Sequence, residues 1–153
     1  MNNTAVVSHP LVSVLVPAKD EADNLPEFMR QAAAVFAAEP GKYEVIVIDD
    51  GSTDATPRVL AQLEQEYPFL QSARHKRRRG IADALRTGYL RSRGDVLVFY
   101  PADLQFKPED IPKLVDPILA GEFDMMTGRK EGEYDKAFVS GIYNGLSLKL
   151  FYV

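Results

Sequence analysis

Apolar and polar positions along this chain alternate between two periods. The segments LVSVLVP (Leu11–Pro17), YEVIVID (Tyr43–Asp49) and DVLVFY (Asp95–Tyr100) are short, nearly uninterrupted apolar runs rich in β-branched residues. Runs of this kind predict strands covered on both faces. FLQSAR (69–74) and FDMMTG (123–128) predict two shorter strands. Between them the apolar positions recur at helical spacing. A helix fits 24–39, with Asn24 able to cap it, Pro26 in its first turn and Gly41 beyond its end. A second fits about Thr56 to Glu66, with Asp54 or Thr53 as cap. In 81–92 the positions Ile81, Ala84, Leu85, Gly88 and Tyr89 form one stripe. PEDIPKLVDPILAG (108–121) reads as a helix opened by Pro108 and weakened late by Pro117. The last eighteen residues or so, KAFVSGIYNGLSLKLFYV, are largely apolar and read as helical.

Strand runs alternating with helices of 10–15 residues predict an α/β fold with a mostly parallel central sheet flanked by helices. In such sheets ligands bind beyond the carboxyl ends of the strands. Four such ends are polar here: PAKDE after the first strand, DDGSTD after the second, PADLQ after Tyr100 and GRKE after 127. They are expected to converge on one edge.

Each end has a functional and a purely structural reading. Asp49 and Asp50 can accept hydrogen bonds from a nucleobase imide or a ribose hydroxyl. Two adjacent acids at a strand end also repel each other unless a ligand or cation relieves them. Ser52 and Asp54 serve equally well as turn and helix-cap residues. Arg74, Lys76, Arg77, Arg78 and Arg79 precede a helix start, where free amides and the helix dipole favour anions. Arg79 is the best candidate among them for a diphosphate, with Gly80 allowing close backbone approach, while the rest suit a solvated loop. In an extended segment Asp103 and Gln105 point the same way. They offer oxygens to a hard cation such as Mg²⁺ or Mn²⁺, which often takes only one or two carboxylates plus substrate phosphates. Alternatively, Asp103 caps a turn and Gln105 faces solvent. His9 and His75, the two histidines, are far apart and expected to face solvent.

Composition narrows the classes. With 153 residues, 46% hydrophobic and 26% charged, the chain suits one soluble domain. The net charge of −4 and a basic loop without interleaved aromatics argue against nucleic acid. No cysteine is present, which excludes a disulfide framework and a thiolate nucleophile and fits a cytoplasmic setting. The first ten residues show no signal-peptide pattern, and no apolar run approaches the roughly 18–20 residues of a membrane span. Neither GxGxxG nor GxxxxGK[ST] occurs, which counts against nicotinamide enzymes and P-loop nucleotidases.

Taken together, VSVLVPAKDEADNLPE, YEVIVIDDGSTDAT, RGIADALRTGYLRSRGDVLVFYPADLQFKPEDIPKLV and MMTGRKE resemble the family 2 glycosyltransferases, in particular their polyprenyl-phosphate (dolichyl-phosphate mannose synthase-like) branch. Order and spacing match from about Leu11 to Lys130. The resemblance implies a GT-A-type nucleotide-binding sandwich over 11–134, preceded by a tail (1–10). It implies that 135–153 is an apolar helix beginning an acceptor-side or membrane-facing region. It implies an inverting, metal-dependent transferase that moves a sugar from a nucleotide-sugar donor to a polyprenyl (dolichyl or undecaprenyl) phosphate, with Mg²⁺ or Mn²⁺ as cofactor. Pro17, Ala18, Glu21, Asp49, Asp50, Arg79 and Gly80 would bind the nucleotide. Asp103 and Gln105 would hold the metal and diphosphate, and of the catalytic pair Asp103 and Arg129 the latter would face the phosphates or the acceptor. The implied setting is the cytoplasm, at the cytoplasmic face of a membrane through peripheral contact, and the apolar C-terminal helix admits a homo-oligomer. One departure stands out. The branch commonly reads Asp-Ala-Asp-Leu-Gln, whereas this chain reads Pro101-Ala102-Asp103-Leu104-Gln105. The first metal carboxylate is replaced by a side chain that cannot ligate, which leaves open a nucleotide-sugar-binding module that needs a partner chain for activity.

Overall fold

The computed structural model describes residues 11–128. Four strands, β1 (Val12–Ala18), β2 (Tyr43–Asp49), β3 (Leu70–Arg74) and β4 (Val96–Phe99), form one sheet in the order β3-β2-β1-β4. Every pairing is parallel. The helices are α1 (Leu25–Phe36), α2 (Thr56–Glu66), α3 (Ile81–Tyr89) and α4 (Ile111–Leu119), the last preceded by a 3₁₀ turn at Pro108–Asp110. This is the α/β arrangement the apolar runs predict. The expected bounds of β2 and α2 coincide with those observed.

Because strand side chains alternate, the sheet has two unlike faces. Val12, Val14 and Val16 of β1 point with Val45, Val47, Val96 and Val98 into the larger core. That core is closed by Leu25, Phe28, Met29 and Ala32 of α1, by Leu60 and Leu63 of α2, and by Ile111 and Val115 of α4. Leu15, Ile46 and Ile48 face the other way, against Ala84 and Leu85 of α3. At Gly88 a Cβ would stand 2.8 Å from the Ile48 Cδ1 and 3.2 Å from the Leu15 Cδ2. Glycine there lets α3 lie close on the sheet. The buried contact is therefore narrow, and Ile81 and Tyr89, expected on the buried stripe, overhang it at 58% and 61% exposure.

The amino-terminal ends of the strands are pinned by one buried carboxylate. Glu44, 2% exposed, accepts from the Ser13 hydroxyl (2.6 Å), the Arg93 backbone N–H (2.7 Å), the Arg93 Nε (2.9 Å) and the Gln71 amide (3.2 Å). Burial alone would raise its pKa. The donors outweigh it and hold the group below the usual carboxylate range.

Three local expectations differ. Asn24 stands at the start of α1 but makes no side-chain cap; its amide donates to Glu21 Oε2 at 2.7 Å instead. The expected helix over 108–121 is split, because Pro108 opens a 3₁₀ turn and Pro112 restarts the helix as α4. Pro117 sits inside its last turn, where only one ladder bond is lost. FDMMTG is not a strand. Met126, Thr127 and Gly128 instead line an apolar cleft of about 360 Å³ beside β4, together with Leu97, Phe99 and Leu114, so no ladder forms there. The tail 1–10 and the C-terminal helix expected at 135–153 lie outside the described residues.

Candidate functional site

The carboxyl ends of β1 and β2 lie side by side, with Ala18 paired to Asp49. The loop after β1 is locked to the loop after β2 by hydrogen bonds in both directions. Asp20 adopts φ 57°, and its Oδ1 accepts from the Thr53 N–H at 2.8 Å. The Asp20 N–H donates to the Ser52 hydroxyl at 2.8 Å, and the Glu21 N–H to the Thr56 hydroxyl at 2.9 Å. Lys19 pairs with Asp20 at 2.6 Å; chiefly through this bond, the Asp20 carboxyl titrates at about 2. Gly51 has φ +75°, and a Cβ there would lie 2.5 Å from the Arg77 carbonyl carbon. The DDGSTD turn thus presses directly on the backbone of the basic loop.

Asp49 and Asp50 have separate partners, which removes the repulsion expected between them. Asp49, 1% exposed, accepts the Ser52 N–H at 2.8 Å and faces the Arg74 Nε at 3.1 Å. It holds the turn. Asp50, 6% exposed, accepts from the Arg79 N–H (2.8 Å) and His75 Nδ1 (2.7 Å) on Oδ1, and from the Gly80 N–H (2.8 Å) on Oδ2. Burial would raise its pKa, but these donors prevail and the group is held below the normal carboxylate value. Asp50 is therefore an anion at neutral pH.

His75 is not solvent-facing as expected. It is 7% exposed, seated between Asp50 and the Thr87 hydroxyl, which lies 2.9 Å from Nε2. Three segments meet to bury it: Asp50 follows directly on β2, Thr87 lies on α3, and His75 follows directly on β3. Its placement just after a strand end is the signal in the sequence that could have indicated this.

A cavity of about 170 Å³ opens at this edge, lined by Pro17, Ala18, Lys19, Asp50, Arg78, Gly80, Ile81 and Ala84. Of the residues expected to bind nucleotide, the fold brings Pro17, Ala18, Asp50 and Gly80 together around it. Glu21 instead faces Asn24, and Asp49 lies within its turn. Arg79 contributes its backbone N–H to Asp50, while its side chain turns outward to Asp83 at 2.9 Å. Lys19, Arg78, Ile81 and Ala84 are the lining residues that the motif reading missed. Arg78 was one of five neighbouring cations with nothing local to single it out.

Past β4, Asp103 is exposed and its Oδ1 accepts the Gln105 N–H at 3.1 Å, the turn-capping geometry. Leu104 between them adopts φ 58°. Among the described residues no group of three His, Cys, Asp or Glu side chains is placed to hold a cation. Asp103 stands as one carboxylate with Pro101 beside it. Such a donor set fits a divalent ion only when the ion arrives with substrate phosphates that complete its shell. Arg129 lies outside the described residues.

A parallel α/β sheet with a buried carboxylate, neighbouring cations and a cavity at its carboxyl edge belongs to the class of α/β proteins that bind ligands at that edge. The Glycosyl transferase family 2 model matches residues 13–142, and the chain belongs to that family. Over 128 residues it is 34% identical to an undecaprenyl-phosphate 4-deoxy-4-formamido-L-arabinose transferase of Klebsiella pneumoniae, covering 83% of this chain and 39% of that one. The chain thus spans about two fifths of the length of such relatives. Among solved structures it is similar to a Pyrobaculum calidifontis mannosyltransferase in complex with GDP-Man and Mn²⁺ (31% identity, TM-score 0.59, 67% of this chain and 30% of that one). It is also similar to glucosyl-3-phosphoglycerate synthase from Mycobacterium tuberculosis in complex with Mn²⁺, UDP and glucosyl-3-phosphoglycerate (26% identity, TM-score 0.60, 75% and 41% covered). The fold is that of the GT-A glycosyltransferases.

Proposed function

We propose that this chain carries the donor-binding part of a glycosyltransferase that moves a sugar from a nucleotide-sugar to a polyprenyl phosphate, with inversion at the sugar carbon. The observation that carries the reading is the cavity at the carboxyl edge of β1 and β2, where Pro17, Ala18, Asp50 and Gly80 meet the cations Lys19 and Arg78. In this reading Asp50 takes the base, and Lys19 and Arg78 draw the diphosphate. Asp103, with Gln105 beside it, would hold a Mg²⁺ or Mn²⁺ ion together with the donor diphosphate. The ion would offset charge on the leaving diphosphate. Arg129, beyond the described residues, is assigned to the phosphates. Asp49 contributes indirectly, by holding the turn that carries Asp50.

The undecaprenyl-phosphate relative supports a lipid-phosphate acceptor. Such an acceptor is already anionic, so the transfer needs no strong general base. Its oxygen attacks the sugar carbon as the bond to the donor diphosphate breaks, and the diphosphate leaves with that electron pair. A lipid acceptor places the work at a membrane surface, and peripheral contact at its cytoplasmic face belongs to the same proposal. Pairing of two copies through 135–153 belongs to the same proposal.

The test is calorimetry with nucleoside diphosphates, with and without Mn²⁺, followed by incubation with nucleotide-sugars and polyprenyl phosphate. Binding followed by glycosylated lipid is the expected result, and no binding of any nucleotide overturns the reading. The isolated carboxylate of Asp103 favours a second reading, a nucleotide-sugar-binding module active only with a partner chain; binding without turnover selects it.

A further inference from the structure

Resting on the donor-site reading above, we infer that His75 is a positioning residue that leaves Asp50 one open acceptor position, and that this selects a base presenting a single imide N–H, uracil or thymine, over guanine. An ionised carboxylate only accepts hydrogen bonds, at about four lone-pair positions. Asp50 has three of them occupied by the chain itself. Oδ1 takes His75 Nδ1 and the Arg79 N–H, and Oδ2 takes the Gly80 N–H. Among the described residues no fourth donor reaches Asp50, so one position on Oδ2 is left for a ligand in the cavity that Asp50 lines.

The histidine is fixed in this role from both sides. Because Asp50 cannot donate, Nδ1 must carry the proton. In the neutral ring Nε2 is then an acceptor, and the Thr87 hydroxyl at 2.9 Å supplies its donor. The ring is 7% exposed and the Asp50 side chain similarly buried, so neither turns freely.

The hydrogen-bonding edges of the bases decide what fits. Uracil and thymine offer one N–H flanked by two carbonyls. The N–H meets the open position, and the flanking carbonyls bring no second donor that would go unpaired. Guanine offers two adjacent donors, N1–H and the 2-amino group. Its usual bidentate seat on a carboxylate needs two open positions, so one buried donor goes unpaired. Adenine and cytosine set a ring-nitrogen acceptor beside the exocyclic amine, and that acceptor meets the anion.

The test is calorimetric binding of UDP, dTDP, GDP, ADP and CDP to the full chain, to His75→Ala and to His75→Asn, each checked for fold by circular dichroism. An unpaired buried donor weakens binding by roughly tenfold. The expected result is UDP or dTDP bound about tenfold or more tightly than GDP, ADP and CDP, with the UDP-to-dTDP ratio reporting which pyrimidine is taken. His75→Ala frees a position on Oδ1, and the preference over GDP should narrow by about threefold or more. His75→Asn keeps a donor near the Nδ1 position and should restore it, an outcome that a merely structural histidine would not produce. Equal binding of GDP and UDP by the unaltered chain overturns the inference while leaving the donor-site reading intact. A folded His75→Ala chain that loses all nucleotides in proportion, its preference unchanged, overturns the role of His75. Failure of every nucleotide to bind the unaltered chain overturns the donor-site reading itself.

Discussion

Replacing Asp50 by Asn tests whether this side chain holds the loop by charge and acceptor count. The shape is nearly unchanged, but an amide has one oxygen and one NH₂ group. Three donors converge on Asp50: His75 Nδ1 and the Arg79 N–H on one oxygen, the Gly80 N–H on the other. If the Asn oxygen serves the first pair, its nitrogen faces the Gly80 N–H, donor against donor at the 2.8 Å seen now. If the amide flips, two donors are opposed instead. Either way at least one charge-assisted bond is lost and one buried backbone N–H loses its partner. A hydrogen bond to a charged group contributes about 1.5–3 kcal/mol, and an unsatisfied buried group costs about 1–3 kcal/mol. The two descriptions overlap, so Asp50→Asn should lose about 2–4 kcal/mol at pH 7, read by urea denaturation followed by circular dichroism. The pH dependence gives an independent check. The folded-state pKa of Asp50 lies below its unfolded value, so its contribution is fully present above the unfolded pKa and is lost as pH falls through the folded one. The gap between the parent and the variant should therefore shrink below about pH 4. A variant within about 0.5 kcal/mol of the parent at pH 7, or a gap that does not change on acidification, would refute the bonding scheme.

Further expectations follow from the same contacts. Gly51→Ala combines a positive φ with a Cβ 2.5 Å from the Arg77 backbone; it should cost at least about 2 kcal/mol in urea and weaken UDP binding by displacing the basic loop. Glu44→Ala leaves Ser13 and Arg93 without their acceptor and should cost about 3–5 kcal/mol by thermal or chemical unfolding. Glu44→Gln should retain more and should be less sensitive to acid, because the lowered pKa of Glu44 makes its stabilisation disappear as pH falls. Pro101→Asp places a second carboxylate two residues from Asp103 and should tighten Mn²⁺ binding in the presence of UDP; an unchanged Mn²⁺ affinity in calorimetry would mean that position 101 does not face the cation.

The sequence was informative where a property is local. YEVIVID is continuously apolar over 45–48 and followed by Asp50-Gly51, so its bounds as β2 were readable; Thr56–Glu66 was readable from its helical spacing after the polar turn that ends at Asp54. Misreadings arose where distant elements decide. His75 looks like one polar residue in a basic loop until Asp50 and Thr87 close on it from β2 and α3. The side chain of Arg79, just ahead of α3, pairs with Asp83 in the first turn of that helix, and Arg78, which nothing local in the sequence singled out, also lines the cavity. FDMMTG has strand composition, but a strand exists only through a partner, and beside β4 its residues line a cleft.

The two halves of the proposed donor site are mounted with unequal firmness. Asp50 rides on β2, which pairs along seven residues with β1 and five with β3. Asp103 follows β4, which among the described residues has only four paired positions, all with β1, and whose Leu97 and Phe99 are 40% and 50% exposed. Opening β4 breaks one short ladder, whereas opening β2 breaks two longer ones. Amide hydrogen exchange should accordingly be fastest, among the strands, at β4. Such an order of release lets the base remain held while the phosphate end is let go.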